Sequence, residues 1–260
     1  MNTKLLMGNE AIALGAIAAG VQVVTGYPGT PSTEVLETIA KSHIEDIYIE
    51  WSVNEKVALE VGVGAAYSGA RTLVTMKQVG LNVASDPLMC LSYIGIKGGM
   101  VILVADDPGP ISSQTEQDTR HFAKYANLPI FDPPTPEAAY TMIGDAFEFS
   151  EKHHTPVIFR PTTRICRACA AIAPNRVREA KPISGFVRDS KWVIFPKLSY
   201  ENHKRIELLQ QTMSEDFATY HFNTVTSTLN EYSTRNGIIC SGVSTSYTKE
   251  ALSTLKGEAK

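Results

Sequence analysis

The run Met100-Val-Ile-Leu-Val-Ala105 constrains the fold more than any other stretch of the 260 residues. Six apolar residues with no polar alternation, entered from Gly98-Gly99 and left through Asp106-Asp107, describe a strand buried on both faces. Such a strand needs helices above and below it, and the flanking sequence supplies them. Helical periodicity covers residues 8–19, Val21–Thr25 reads as a strand, and a helix follows. Ile44–Trp51 is close to strand periodicity, a helix opens at Glu55, and Arg71–Met76 is a β-rich run. Beyond Met100–Ala105 come a short strand at Ile130–Asp132, a helix from Thr135 to near Glu148, and a strand at Pro156–Arg160. Strands separated by helices of this length predict an α/β fold, a parallel sheet wrapped by helices.

The pattern implies three regions. Residues 1–165 form the first domain. Residues 166–235 read as a linker with surface helices, since APNRVREAKPISGFVRDSKWVIFP carries scattered prolines and the stretch after it is polar. Residues 236–260 restart a strand–glycine–helix pattern at Asn236–Val243, the truncated start of a second α/β domain. A net charge of −3 and a pI near 6.1 give no electrostatic reason to expect nucleic acid or an anionic membrane. No apolar run approaches the roughly 18 residues of a membrane span. The apolar opening is interrupted by Asn9-Glu10, as in an ordinary amphipathic helix, so a cytoplasmic protein is expected. Cys166-Arg-Ala-Cys169 is a lone C-x-x-C without a second pair, and is read as structural. The chain is expected to carry no metal and no iron–sulfur cluster of its own.

The chemistry concentrates between Thr25 and Gly69. After Val21-Gln22-Val23-Val24 the chain breaks at Gly26 and Gly29 and restarts as a helix, with Thr30 at the N-cap position and Pro31 at the first helical position. A strand, a glycine-bearing turn and a capped helix are expected to leave free backbone N–H groups, suited to a carboxylate or phosphate. Glu55 begins the next helix. The bland reading is a carboxylate stabilised by the helix dipole; the functional one is a partly desolvated acid that holds or shares a proton. Ala58, Gly62, Ala65, Ala66 and Gly69 leave one face of that helix almost without bulk. The face packs either inside the domain or, as the functional reading expects, against a second domain or subunit. Lys77–Asn82 reads as a polar loop opening another helix, and residues 106–120 as a Ser/Gln/Thr-rich loop at the sheet's carboxyl edge.

GYPGTPSTE, followed by EWSVNEKVALEVGVGAAYSGARTLVTMKQVGLNVASDP, resembles the thiamine-diphosphate-dependent 2-oxoacid:ferredoxin oxidoreductases, and among them those acting on aryl 2-oxoacids such as indolepyruvate. The likeness covers nearly the whole chain. It implies a pyrimidine-binding domain in which Glu55 meets N1′ of the cofactor's aminopyrimidine, with Tyr27, Pro28, Gln78 and Asn82 also near the cofactor. Thr30 and Arg120 become the expected contacts of the substrate carboxylate, Arg120 because a fork of donors suits that anion. Arg120 as a solvated surface charge remains the alternative. Asp106, Asp107 and Gln114 share the segment that approaches substrate, and Lys77 lies in a loop near the active site.

The resemblance further implies an aryl 2-oxoacid and CoA as reactants and ferredoxin as electron acceptor. The diphosphate-binding turn with its Mg²⁺ and the iron–sulfur clusters are absent from this sequence. They are expected in a partner subunit or a further region, and the chain is expected to be inactive alone and to work in a homo-oligomer. A non-oxidative thiamine-diphosphate decarboxylase subunit and a non-catalytic assembly module are the alternatives. A dinucleotide fold is disfavoured, since no G-x-G-x-x-G follows the first strand.

Overall fold

The computed structural model describes residues 3–174, 180–226 and 237–258. Its centre is a six-stranded, wholly parallel sheet of β2 (Val23–Gly26), β3 (Tyr48–Trp51), β4 (Thr72–Lys77), β5 (Met100–Ala105), β6 (Ile130–Phe131) and β7 (Val157–Phe159), in the order β3-β2-β4-β5-β7-β6. The α/β reading therefore holds. From β2 the chain crosses to β3 on one side, and from β4 it proceeds to β5 on the other. The order reverses between β2 and β4, the place where open α/β sheets bind ligands at their carboxyl edge.

Helices α1 (Gly8–Ala18), α2 (Thr33–Lys41) and α7 (Pro136–His153) cover one face of the sheet. The other is covered by α3 (Glu55–Tyr67), α4 (Gln78–Val83), α5 (Ser85–Ile94) and α6 (Thr119–Tyr125). Strand β5 divides its side chains between the two layers. Val101, Leu103 and Ala105 join the α1/α2/α7 core, and Met100, Ile102 and Val104 join the α3/α4/α5 core. The period of two explains why an unbroken apolar run is required, since neither face meets water.

Several expectations are corrected. Residues 78–83 are not loop; α4 starts directly where β4 ends. The boundary at 165 falls inside α8 (Thr163–Arg167). Beyond it, β8 (Cys169–Ile172) pairs antiparallel with β1 (Lys4–Met7), a strand the opening residues did not suggest. The small-residue stripe is settled for its buried members. Ala58 and Ala66 lie in the domain's own core, and a side chain on Gly62 would meet Val74 and Thr72 of β4.

The segment after Lys181 runs along the amino edge of the sheet. The Lys181 carbonyl accepts from Gln22 Nε2 at 2.8 Å, Lys97 Nζ donates to the Gly185 carbonyl at 3.1 Å, and the Trp192 ring sits 4.3 Å from that of Tyr67. Helix α9 (Pro196–Ala218) then packs on α5 and α7, burying Ile206 and Met213. Asn236 lies outside the described residues, and Gly237–Ser241 forms no strand before α10 (Ser244–Glu258). Ile238 and Ile239 are exposed, because this apolar run has no neighbouring strand to pair with among the described residues.

Candidate functional site

Strands β2 and β4 end side by side at the reversal point, with Gly26 level with Thr75. A side chain on Gly26 would stand 2.9 Å from the Thr75 carbonyl oxygen and closer still to its hydroxyl, so only glycine lets the two strand ends approach. Tyr27 N–H donates to the same carbonyl at 3.3 Å.

Glu55 stands beside this point. Asn54 caps α3, its side-chain oxygen accepting from Val57 N–H at 2.9 Å, and this places Glu55 in the first turn. The residue is 9% exposed, and among the described residues its carboxylate has no hydrogen-bond donor and no cationic partner. It lies on the bare backbone of Gly80 in α4: a methyl group there would come within 2.6 Å of Glu55 Cγ and 2.7 Å of Cδ. Two residues before Gly80, Gln78 is 1% exposed. Its Nε2 donates to the Thr115 carbonyl at 3.3 Å, while its Oε1 is buried without a partner. Leaving a buried acceptor unmatched costs about 1–3 kcal/mol. A carboxylate without a donor among the described residues, beside the reversal point, fits a heteroaromatic ring that carries an N–H donor, such as an aminopyrimidine. A dipole-stabilised surface carboxylate would show neither this burial nor the glycine seat beneath it.

The other expected residues divide into those at the crevice and those elsewhere. Tyr27 and Pro28 are exposed at the end of β2, and Asn82 is exposed on α4. Thr30 is exposed too, but it is not a helix cap. Ser32 N–H and the Ser32 hydroxyl both donate to the Gly29 carbonyl at 2.8 Å, closing a turn that keeps Thr30 and Pro31 outside α2 and leaves Ser32 at its N-cap. Nor does the turn offer a cradle of free N–H groups. Gly29 N–H donates to Thr33 Oγ1 at 2.9 Å, Tyr27 and Ser32 are engaged as above, and Pro28 and Pro31 have none to give, so within the turn only the Thr30 N–H is left without an acceptor among the described residues.

Arg120 faces away from the crevice. Its Nε and Nη2 bind Asp118 at 2.9 and 2.7 Å and its Nη1 donates to Ser241 at 3.0 Å. It lines a cavity of about 960 Å³ between β6, α9 and residues 240–242, which also holds Asp132. The hydrogen bonds from Arg120 hold Asp118 down to about 2. Burial pushes Asp132 above the ordinary carboxylate value, against the opposing pull of Arg160. Asp106 and Asp107 are likewise engaged within the chain. Asp106 is buried, paired with Arg160 at 2.7 Å and bonded by the Thr119 N–H and hydroxyl. Asp107 organises the following loop, accepting from the N–H groups of Ile111, Ser112 and Ser113 at 3.0, 2.8 and 3.1 Å and from the Thr163 hydroxyl at 2.6 Å. Burial would raise its pKa, but the donors outweigh that and hold it below the usual range. Gln114 is exposed, and its Oε1 meets Lys77 Nζ at 3.4 Å.

Two residues that the sequence reading passed over matter here. Gly80 provides the seat for Glu55; its signal was a glycine in a stretch otherwise able to be helical. Asn9 is wholly buried in α1, with Nδ2 donating to the Pro31 carbonyl at 2.6 Å and to Glu34 at 2.9 Å. It anchors the Tyr27–Pro31 turn from beneath, and nothing in its local sequence announces the role.

Residues 14–168 match the family described as pyruvate flavodoxin/ferredoxin oxidoreductase, thiamine diphosphate-binding. Over 256 residues the chain is 43% identical to the indolepyruvate oxidoreductase subunit IorA of Methanothermobacter marburgensis, an alignment covering 96% of this chain and 40% of that protein. It is 40% identical over 258 residues to the IorA subunit of Pyrococcus horikoshii, covering 96% and 39%. The ketoisovalerate oxidoreductase subunit VorB of M. marburgensis is 24% identical over 204 residues, covering 75% and 56%. The chain thus spans about two fifths of the length of the IorA relatives it matches. A solved structure of 2-oxoglutarate:ferredoxin oxidoreductase from Magnetococcus marinus, with 2-oxoglutarate, coenzyme A and succinyl-CoA bound, superposes with a TM-score of 0.70 at 16% identity. That likeness covers 98% of this chain and 52% of the other, and is one of fold.

Proposed function

The chain belongs to the pyruvate flavodoxin/ferredoxin oxidoreductase family of thiamine-diphosphate-binding domains, and on that premise we propose that it forms the pyrimidine-binding half of a cofactor site. The enzyme so assembled would oxidatively decarboxylate aryl 2-oxoacids such as indolepyruvate to acyl-CoA, passing electrons to ferredoxin. The observation that carries the proposal is the Glu55 carboxylate, buried on Gly80 with no partner among the described residues. The aryl preference is supported by the names of the relatives at 40% identity and above.

In this reading Glu55 holds a proton against N1′ of the aminopyrimidine, an exchange for which a desolvated carboxylate is suited. Gln78 Oε1 accepts a second N–H, and Tyr27 and Pro28 wall the ring from water. Asn82, exposed on the same helix, meets the cofactor's outer edge. Thr30 presents its hydroxyl to the substrate. Thiamine diphosphate, when bound, supplies the electron sink that lets the bond to the departing carboxylate break. The Mg²⁺–diphosphate site, the iron–sulfur clusters and the path to ferredoxin belong to the remaining polypeptide or to partner subunits, as does any assembly of several copies.

The test is Glu55→Gln in the complex reconstituted with its diphosphate-binding partner. Exchange of the cofactor's C2 proton is expected to stop while the circular-dichroism spectrum stays that of wild type. Exchange at the wild-type rate would remove Glu55 from this role.

A further inference from the structure

A 2-oxoacid presents a carboxylate, and the cation expected to meet it is spent: Arg120 is neutralised by Asp118 and turned toward Ser241. In the turn at Gly29–Ser32 the N–H groups of Gly29 and Ser32 are used internally, which leaves the Thr30 N–H and no positive charge. Some other donor must serve that anion if the crevice takes such a substrate. The geometry points to Lys77 as the residue that holds the substrate carboxylate, an assignment that rests on the 2-oxoacid reading above and names the group that reads its anion.

Four observations converge on it. Lys77 is the last residue of β4, at the edge of the reversal-point crevice. Its stem lies across Gly29, where a side chain would meet Lys77 Cγ at 3.0 Å and Cδ at 3.2 Å, so a glycine next to Thr30 is what gives the lysine its path. Its ammonium has no carboxylate partner among the described residues; it meets the neutral Gln114 amide at a long 3.4 Å. Three nearby carboxylates are engaged elsewhere, and Glu55 makes no ion pair with Lys77. Asp106 is held by Arg160, Asp107 by loop N–H groups and Thr163, and Glu34 by Asn9 and Arg167. An ammonium without a carboxylate partner among the described residues is an open anion site, and it sits one residue before Gln78 and three before the seat of Glu55.

Arg164 is the rival. It is exposed, lines a cavity of about 790 Å³ together with Thr30, and its described contact is with the Tyr247 ring. Its helix follows β7, however, which is separated from β4 by β5, whereas α4 brings Lys77 and the Glu55 seat together. Lysine also suits the task chemically, since its three donors need not be released from a rigid fork when the anion departs as neutral CO₂.

The experiment compares two ligands of the reconstituted full complex by calorimetry. Indole-3-lactate keeps the carboxylate and indole-3-ethanol lacks it. Wild type is expected to prefer the lactate at least tenfold. Lys77→Met should bind the two alike, Lys77→Arg should restore the preference, and Arg120→Met and Arg164→Met should leave it intact. Cofactor affinity, measured separately, should not change in Lys77→Met. A preference that survives in Lys77→Met, or that disappears in Arg120→Met or Arg164→Met, overturns the assignment to Lys77 alone. A wild-type complex indifferent to the carboxylate overturns the aryl 2-oxoacid reading together with it.

Discussion

Gly80→Ala should separate function from stability at this site, because the three atoms nearest a new methyl group all belong to one residue and that residue is the functional one. The new methyl would stand 2.6 Å from Glu55 Cγ and 2.7 Å from Cδ, where an ordinary contact begins at 3.4 Å. Glu55 must therefore withdraw its carboxylate by roughly 1 Å, and a displacement of that size in a reacting group costs on the order of 100-fold in rate. Stability moves the other way. The group displaced is the far end of a side chain that can swing toward solvent, and alanine gains about 0.8–1 kcal/mol over glycine inside a helix. The assay is C2-proton exchange of thiamine diphosphate by NMR in the reconstituted complex, beside a urea unfolding curve. The expected pair of results is exchange slowed about 100-fold with an unchanged or higher midpoint. Exchange within a few-fold of wild type would show that the carboxylate need not rest on Gly80, and the geometric argument for Glu55 would fail. A collapse in stability would show instead that Gly80 is packed by backbone rather than by that one side chain.

Two further outcomes test the scaffold. Arg71, 4% exposed at its side chain, grips Glu151 through two bonds of 2.6 and 2.9 Å and also donates to the Ala19 carbonyl. Breaking a buried pair by removing one partner costs about 3–5 kcal/mol; since Lys181 remains 2.6 Å from Glu151, Arg71→Met should fall at the low end of that range in urea unfolding. Asp118 titrates in the folded protein at about 2, below its ordinary value of 3.8, because Arg120 binds it. A depressed carboxylate stabilises the fold above its unfolded value and loses that contribution as pH falls through the folded one. Asp118→Asn should therefore flatten the loss of stability between 3.8 and about 2, measured by denaturant unfolding across that window; an unchanged slope would refute the pairing.

Periodicity determined the alternation of strands and helices that builds the parallel sheet. A six-residue apolar run admits helices on both faces, the helix signals around it are local, and the motif residues from Gly26 to Glu55 fall where strand ends must meet helix starts. What periodicity could not determine is who bonds to whom. Thr30 reads as a cap because cap propensity is a local quantity, yet Ser32 closes the turn first. Arg120 reads as a ligand because its charge is legible, while its neutralisation by Asp118 depends on how the loop folds back. β1 was invisible because its partner β8 lies at the far end of the domain, Lys4 opposite Ile172. Glu55 was legible as a residue, but its seat on Gly80 and the absence of a charged partner for it and for Lys77 among the described residues exist only once distant segments converge. Sequence spacing fixes which way a side chain leaves its own backbone; whether its charge is still available is settled by contacts from elsewhere in the chain, and that balance belongs to the tertiary structure.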